Sequence, residues 1–198
     1  MGKSITAPKI IVAMKSNSAY KADADTPKTA GTVNLRQTRL ADLDFVIDAE
    51  QHPDNAPYVY QWQRTQHEGA IGAEDSAHLI VEHVVEGLGT SIGYMILAGL
   101  CDPHKVLLLQ RIVIVDKGRG YGRQTLQWIK AFTFDYLDYH RLQLDVVASN
   151  ERARSLYLSE GFAVEGTLKE AHLKDGNREN LLILAMLKHE YIASRISA

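Results

Sequence analysis

Between Asp116 and Gln124 the chain reads DKGRGYGRQ, with three glycines at alternate positions interleaved with Lys117, Arg119 and Arg123. Glycine loses more backbone freedom on folding than any other residue, so this spacing is costly unless something needs it. Gly118, Gly120 and Gly122 therefore call for left-handed backbone or for a ligand that approaches the main chain closely. The turn follows the apolar run LLLQRIVIV and precedes RQTLQWIKAFTFDYL, in which Leu126, Ile129 and Phe132 recur at helical spacing. A glycine-rich turn that ends a strand and opens a helix aligns N–H groups at the positive end of the helix dipole. With three cationic side chains beside it, the chemistry it suits is the binding of a polyphosphate.

The common nucleotide signatures do not fit that turn. No Gly-x-x-x-x-Gly-Lys-Ser/Thr run exists, and Arg123 stands where a dinucleotide fingerprint requires its third glycine. A metal centre is not expected either. Cys101 is the single cysteine, and His52, His67, His78 and His83 are scattered without ligand spacing. Cys101 has only His104 nearby, which disfavours a thiol-bound intermediate.

The elements that must hold the turn follow from periodicity. TVNLRQTR alternates as a strand, and ADLDFVIDAEQ carries Leu43, Val46 and Ile47 on one helical side. Pro53 and Pro57 end that helix and lead into Tyr58, Tyr60 and Trp62. SAHLIVEHV and SIGYMILAGL read as strands around EGLGT, and LLLQRIVIV, without alternation, as a strand covered on both faces. HRLQLDVVA is the next strand, SNERARSLYLSEGF a short capped helix closed by Gly161, and the final stretch two strands around KDGN. The order, with no internal repeat, predicts an α/β or α+β sheet domain.

The 198 residues suffice for one domain with a substantial core. Residues 1–31, polar and poor in large side chains, read as an amino-terminal tail or linker, 32–190 as the domain and 191–198 as a carboxy-terminal tail. A formal charge of −2 gives no expectation of a nucleic-acid partner. No apolar run reaches the ~18 residues of a membrane span, and the first residues lack a signal-peptide core, so the expected setting is the cytoplasm.

Two motifs together carry a resemblance. KGRGYGRQTL resembles the Gln/Arg-x-x-Gly-x-Gly/Ala turn of the GNAT superfamily of N-acetyltransferases, with Lys117 in first place and Gly120 and Gly122 matching. Downstream, Asn150, Ala153, Leu156, Tyr157, Gly161 and Phe162 resemble that superfamily's Asn-x-x-Ala-x-x-Leu-Tyr-x-x-x-Gly-Phe helix. The resemblance spans about 32–188 and is nearest to the branch that acetylates ribosomal-protein N-terminal amines. It implies a mixed, mostly antiparallel sheet that splays between two parallel central strands, with helices on both faces. It implies acetyl-CoA as co-substrate, its pantetheine arm beside Ile112, Val113 and Ile114 and its diphosphate on the amides of Gly118, Arg119, Gly120, Tyr121, Gly122 and Arg123. Asn150 is expected as a pantetheine contact or simply a helix cap, with Ala153 beside it.

The implied reaction is direct transfer of acetyl to a primary amine, a small molecule or a protein N-terminus. The alternative is a non-catalytic acyl-CoA sensor. Tyr157 is the expected proton donor to the leaving thiolate. Many relatives place an acid on the long strand where this chain has Leu108, so the base is left to Glu50 or a water. An α-amine lies about one pKa unit from neutrality at pH 7 and a lysine-type amine over three, roughly 4.6 kcal/mol, which leans the expectation toward weakly basic amines. Tyr58, Tyr60 and Trp62 are candidate walls of the acceptor pocket, and a homodimer is a possible assembly.

Overall fold

The structure, a computed structural model, describes residues 32–174 and 176–196, so the expected amino-terminal tail lies outside the described residues. β1 (Thr32–Gln37) leads through a short 3-10 turn into α1 (Leu43–Gln51) and α2 (Arg64–Gly72). β2 (Ser76–Val85), β3 (Leu88–Ala98) and β4 (Val106–Ile114) follow as a meander. Then come α3 (Tyr121–Ala131), β5 (Arg141–Val147), α4 (Glu151–Ser159), the hairpin of β6 (Ala163–Lys174) and β7 (Asn177–Leu187), and α5 (Lys188–Ile196). The strands form one seven-stranded sheet in the order β1-β2-β3-β4-β5-β7-β6. Every neighbouring pair is antiparallel except β4 and β5, the expected parallel centre.

Helices cover both faces. Leu126, Ile129 and Phe132 of α3 and the turn after it pack with Leu79, Met95, Leu107 and Leu144 on one side. On the other, Leu43, Val46 and Ala49 of α1 pack with Ile80, Tyr94, Ile96 and Val113. Side chains alternate across a strand, so β4 must feed both cores, which accounts for its continuous apolar sequence.

A bulge in β4 sets the chemistry of its upper half. Leu97 of β3 faces Leu109, whereas Ile96 faces Arg111, so Gln110 is an extra residue. One inserted residue exchanges the faces of everything beyond it. Leu107 and Leu109 therefore join the first core, while Val113 joins the second and Ile112 and Ile114 turn back to the first. The same exchange drives Arg111 beneath α1.

The sheet opens at its centre. β4 and β5 pair only over Val106–Leu109 and Arg141–Leu144. Past that point β4 stays with β3, as far as Ile114 opposite Gly93, and β5 stays with β7, as far as Val147 opposite Leu181. The right-handed twist, pulling on strands anchored to different partners, leaves a V between them.

Two elements differ from expectation. α2 was not anticipated, because RTQHEGAIG is polar and starts without a Ser, Thr, Asp or Asn cap. The Gln63 N–H instead donates to Gln66 Oε1 at 2.8 Å, a glutamine version of the capping box. At the other end, α5 crosses the expected domain boundary at 190 and runs to Ile196. Tyr191 is buried there, its ring 4.9 Å from Phe134 and its hydroxyl donating to Asp135 at 2.7 Å, so the predicted tail from 191 is largely a docked helix.

Candidate active site

The V is lined on one side by β4. The Val115 N–H donates to Ile92 O at 2.9 Å, so Val115 turns its polar groups toward β3. By the alternation of an antiparallel pair Val113 does the same, and Ile112 and Ile114 turn their N–H and C=O groups into the opening. Val113 lines the groove, but its backbone is committed to β3, which narrows the expected three-residue edge to two. The groove, about 580 Å³, is of the size that holds a small organic ligand.

At its wide end lies the glycine turn. Gly118 and Gly120 have φ of +80° and +78°, a conformation that strains any residue with a Cβ. Gly120 caps α3, whose first intrahelical bond runs from Gln124 N–H to Gly120 O at 3.1 Å. The amides of Tyr121, Gly122 and Arg123 thus have no partner within the helix, and these residues border the groove. Gly122 serves a different purpose. A Cβ there would meet Leu156 Cδ2 at 3.2 Å, so its bare Cα lets α3 approach α4.

The basic side chains sort unequally. Lys117 borders the groove, donates to Asp54 O at 2.8 Å, and has its pKa lowered by burial and then by the charge of Arg152. Arg119 instead pairs with Asp116 at 3.1 Å and is not part of the lining. Arg123 borders the groove, but its guanidinium is bound to buried Glu160 and to Ser159 Oγ, so it ties α3 to the end of α4. Arg152, in the first turn of α4, is the cation that sequence reading passed over. Two cations, Lys117 and Arg152, thus face one another's field across the groove, an arrangement that an anion between them would relieve.

Deeper in the V a second chamber of about 120 Å³ continues the groove. Tyr58, Ile112, Asn150, Ala153 and Tyr157 border both spaces, so Tyr157 stands at their junction. Its hydroxyl has no hydrogen-bond partner among the described residues, and burial, followed by the charge of Asp145, pushes its pKa well above the ordinary phenol value. Asn150 is observed as a helix cap, Oδ1 accepting from the Ala153 N–H at 3.2 Å, while still bordering the cleft. Tyr60 joins Tyr58 in the chamber wall.

Trp62 and Glu50 lie elsewhere. Glu50 is 1% exposed and borders neither space. Its carboxylate accepts from the Tyr94 hydroxyl, from Arg111 and, at 2.8 Å, from the Trp62 N–H; His67 Nε2 lies 3.4 Å away. Burial alone would raise its pKa, but His67, Tyr94, Arg111 and the Trp62 amide together hold it below the usual carboxylate value. Buried among these donors and bordering neither space, Glu50 cannot reach an acceptor in the cleft, so it is corrected from a candidate base to a buried anchor. The Trp62 ring lies under the Arg111 guanidinium, 4.3 Å from centroid to Cζ, and belongs to the same anchor rather than to the pocket wall. His67 continues it to His78 at 3.1 Å, and His78 to Thr38 Oγ1 at 2.9 Å.

β4 has Leu108 where an acid was expected, but its parallel neighbour β5 carries one. Asp145 of β5 borders the inner chamber, where the surrounding protein raises its pKa, against the lowering effect of its own amide, His172 and Arg111. Its signal in the sequence was a lone acid in the apolar strand HRLQLDVVA, legible only once that strand is set beside β4. His172 of β6 borders the same chamber and was also missed. Among the described residues no cluster of three or more His, Cys, Asp or Glu is placed to hold a metal, and no helix is long and apolar enough to cross a membrane.

A cleft with helix-terminal amides and two cations at one end, an open strand edge midway and a buried tyrosine at the other fits acetyl-CoA. Its phosphates would meet the glycine turn, Lys117 and Arg152, its amide-bearing arm Ile112 and Ile114, and its thioester Tyr157. Bound there, it supplies the activated acetyl group. Comparison with known proteins agrees. Residues 37–162 match the Acetyltransferase (GNAT) family. The chain is 26% identical over 172 residues to the spermidine N(1)-acetyltransferase of Escherichia coli K12, covering 83% of this chain and 91% of that one. It is 26% identical over 171 residues to the spermidine N(1)-acetyltransferase of Vibrio cholerae, with 81% and 95% covered. Among solved structures, the Vibrio cholerae spermidine N-acetyltransferase in complex with CoA and spermine superposes with a TM-score of 0.72 at 21% identity, over 81% of this chain and 98% of that one. These relatives redirect the expected kinship away from the branch of ribosomal-protein N-terminal acetyltransferases. The chain belongs to the GNAT acetyltransferase family and is an acetyl-CoA-dependent N-acetyltransferase that acts on a primary amine.

Proposed function

We propose that the acceptor is a small aliphatic amine of the polyamine class, and that Tyr157 donates the proton that the departing thiolate takes up. The single observation behind this reading is the place of Tyr157, where a phosphate-suited groove and a small chamber bordered by Asp145 meet. Asp145 keeps its side chain exposed at the chamber rim, where its charge attracts a cationic amine from solution. The aromatic rings of Tyr58 and Tyr60 suit the methylene stem and charge of such an amine. The likeness to spermidine acetyltransferases points the same way.

This acceptor class reverses the lean toward weakly basic amines. An aliphatic ammonium near pKa 10.4 costs roughly 4.6 kcal/mol to neutralise at pH 7. A protein that serves it needs an acidic chamber to gather the cation and a group to take its proton, and Asp145 supplies the first. Tyr157 remains protonated throughout the neutral range, the state a donor requires.

Release of free thiol from acetyl-CoA, measured against spermidine, a peptide with a free α-amine and a lysine peptide blocked at its N-terminus, tests the reading. Steady release with spermidine alone is expected. Release with the α-amine peptide but not with spermidine overturns it. Self-association is proposed as well, because the Vibrio cholerae relative is dodecameric; sedimentation at micromolar concentration, where a single monomer boundary is the contrary result, decides that point.

A further inference from the structure

β6 is the last strand of the sheet and is open to solvent along nearly its whole length; its one buried residue is His172. His172 is 2% exposed, yet neither ring nitrogen has a hydrogen-bond partner among the described residues. Leaving a buried polar group unpaired is destabilising, and natural structures seldom leave two in one side chain without a use. The ring borders the inner chamber and packs against Tyr60, with centroids 4.6 Å apart.

The backbone has been bent to put it there. Leu168 faces Leu181 and His172 faces Glu179, so Lys169, Glu170 and Ala171 stand opposite Asn180 alone. Glu170 has φ of +51°, an uncommon conformation for a residue with a side chain. It is pinned by Asn180, whose Oδ1 accepts the Glu170 N–H at 2.9 Å, and by Arg178, which donates to Glu170 O at 3.3 Å. Tyr60 adds a bond of 3.4 Å to Ala171 O. Bulges of this kind re-aim side chains beside active sites. Here the result is a buried polar ring, unpaired among the described residues, at the border of the inner chamber.

We infer that His172 is the residue that receives the acceptor amine: a ring nitrogen accepts a hydrogen bond from the amine and takes its proton, while Asp145 holds the positive charge in the chamber. The inference rests on the amine-acceptor reading and adds a base to it. One proton passes from the ammonium to the imidazole, leaving a nitrogen lone pair for the new C–N bond. As that bond forms, the C–S bond breaks and the thiolate takes the Tyr157 proton. The second proton shed by the nitrogen restores Tyr157, and the imidazolium returns its own to solvent. The titratable and charged groups that face His172 or share its chamber are Tyr58 and Tyr60 from the loop before α2, Arg111 and Asp145 from the two central strands, Tyr157 from α4 and Glu179 across the hairpin.

Two measurements test it. In the first, imidazole resonances are followed while spermidine is added to the protein saturated with CoA; a shift of the resonance that His172→Gln removes is expected. In the second, steady-state kinetics compare variants. His172→Phe, which keeps the bulk, is expected to lower kcat/KM for the amine about 100-fold while leaving the KM for acetyl-CoA and the melting temperature near wild type. His172→Gln, which keeps a polar partner but cannot take a proton, is expected to retain the amine KM within about threefold, lower kcat, and flatten the acidic limb of the rate profile. A His172 resonance unmoved by spermidine, or wild-type kinetics in folded His172→Phe, overturns the inference. Wild-type protein that shifts the resonance but releases no thiol sinks the acetylation of this amine and leaves His172 as its binding site.

Discussion

The Arg111 guanidinium sits 4.3 Å over the Trp62 ring while also bonding Glu50, so one cation joins the central strand to α1 and to the loop that carries Tyr58 and Tyr60. Arg111 reaches that place only because Gln110 is inserted ahead of it. The pair is 8% and 1% exposed, a setting in which breaking it by removing one partner costs far more than forming it gains.

Glu50→Ala should therefore lower the unfolding free energy by about 3–5 kcal/mol, leaving Arg111 buried without its counter-charge. Urea denaturation measures this. A loss under ~1 kcal/mol with a large fall in kcat would return Glu50 to the chemistry instead.

Tyr157→Phe removes one hydroxyl that makes no structural hydrogen bond. It should lower kcat about 100-fold, the scale of one proton donor, with the KM for acetyl-CoA and the melting temperature unchanged. Full activity in the phenylalanine variant would mean that water protonates the thiolate.

Lys117→Ala and Arg152→Ala should each weaken CoA binding about tenfold, the scale of one charge-assisted hydrogen bond. The penalty should shrink in 1 M salt, where the screening length falls to about 3 Å. Arg119→Ala should leave affinity unchanged, because its side chain points to Asp116 and not into the groove. Isothermal titration across salt concentrations separates the three.

Stability should fall in acid with a contribution from His78. Burial, followed by the charges of His67 and Arg111, holds its pKa down to about 3. The unfolded chain, with an ordinary value near 6.5, takes up a proton that the native state refuses. The neutral imidazole's contribution is complete above pH 6.5 and is lost as pH falls toward 3, with a slope of about 1.4 kcal/mol per pH unit from this group. Glu50, whose pKa is lowered, adds its own loss below the usual carboxylate range. Denaturant midpoints in His78→Gln should show a shallower decline between pH 6 and pH 4 than in the wild type.

Much of this protein was legible residue by residue. Alternate glycines with positive φ, the Asn150 cap, the apolar central strand and the helix ending at Gly161 are local facts, because backbone strain, capping and period depend on near neighbours. The glycine turn was readable from that grammar, while Tyr157 came from the resemblance of its helix to the family motif. Arg123 and Arg119 were read as ligand contacts because a one-dimensional text shows charge but not what already neutralises it. Glu160 stands 37 residues from Arg123, and the contact exists only after α3 and α4 pack across Gly122.

What the tertiary structure alone decided is the identity of the groups that border the inner chamber. The inserted Gln110 set the Arg111 guanidinium on Glu50, so that carboxylate is held in a buried ion pair away from the chamber. The splay of β4 from β5 brought Asp145 into the chamber, and the bend at Glu170 aimed His172 into it from the edge of the sheet. Register and bulges set which face a strand residue meets, and they follow from pairing partners far away in the chain. The sequence determines that acetyl-CoA has a cradle; only the folded sheet determines what waits at its reactive end.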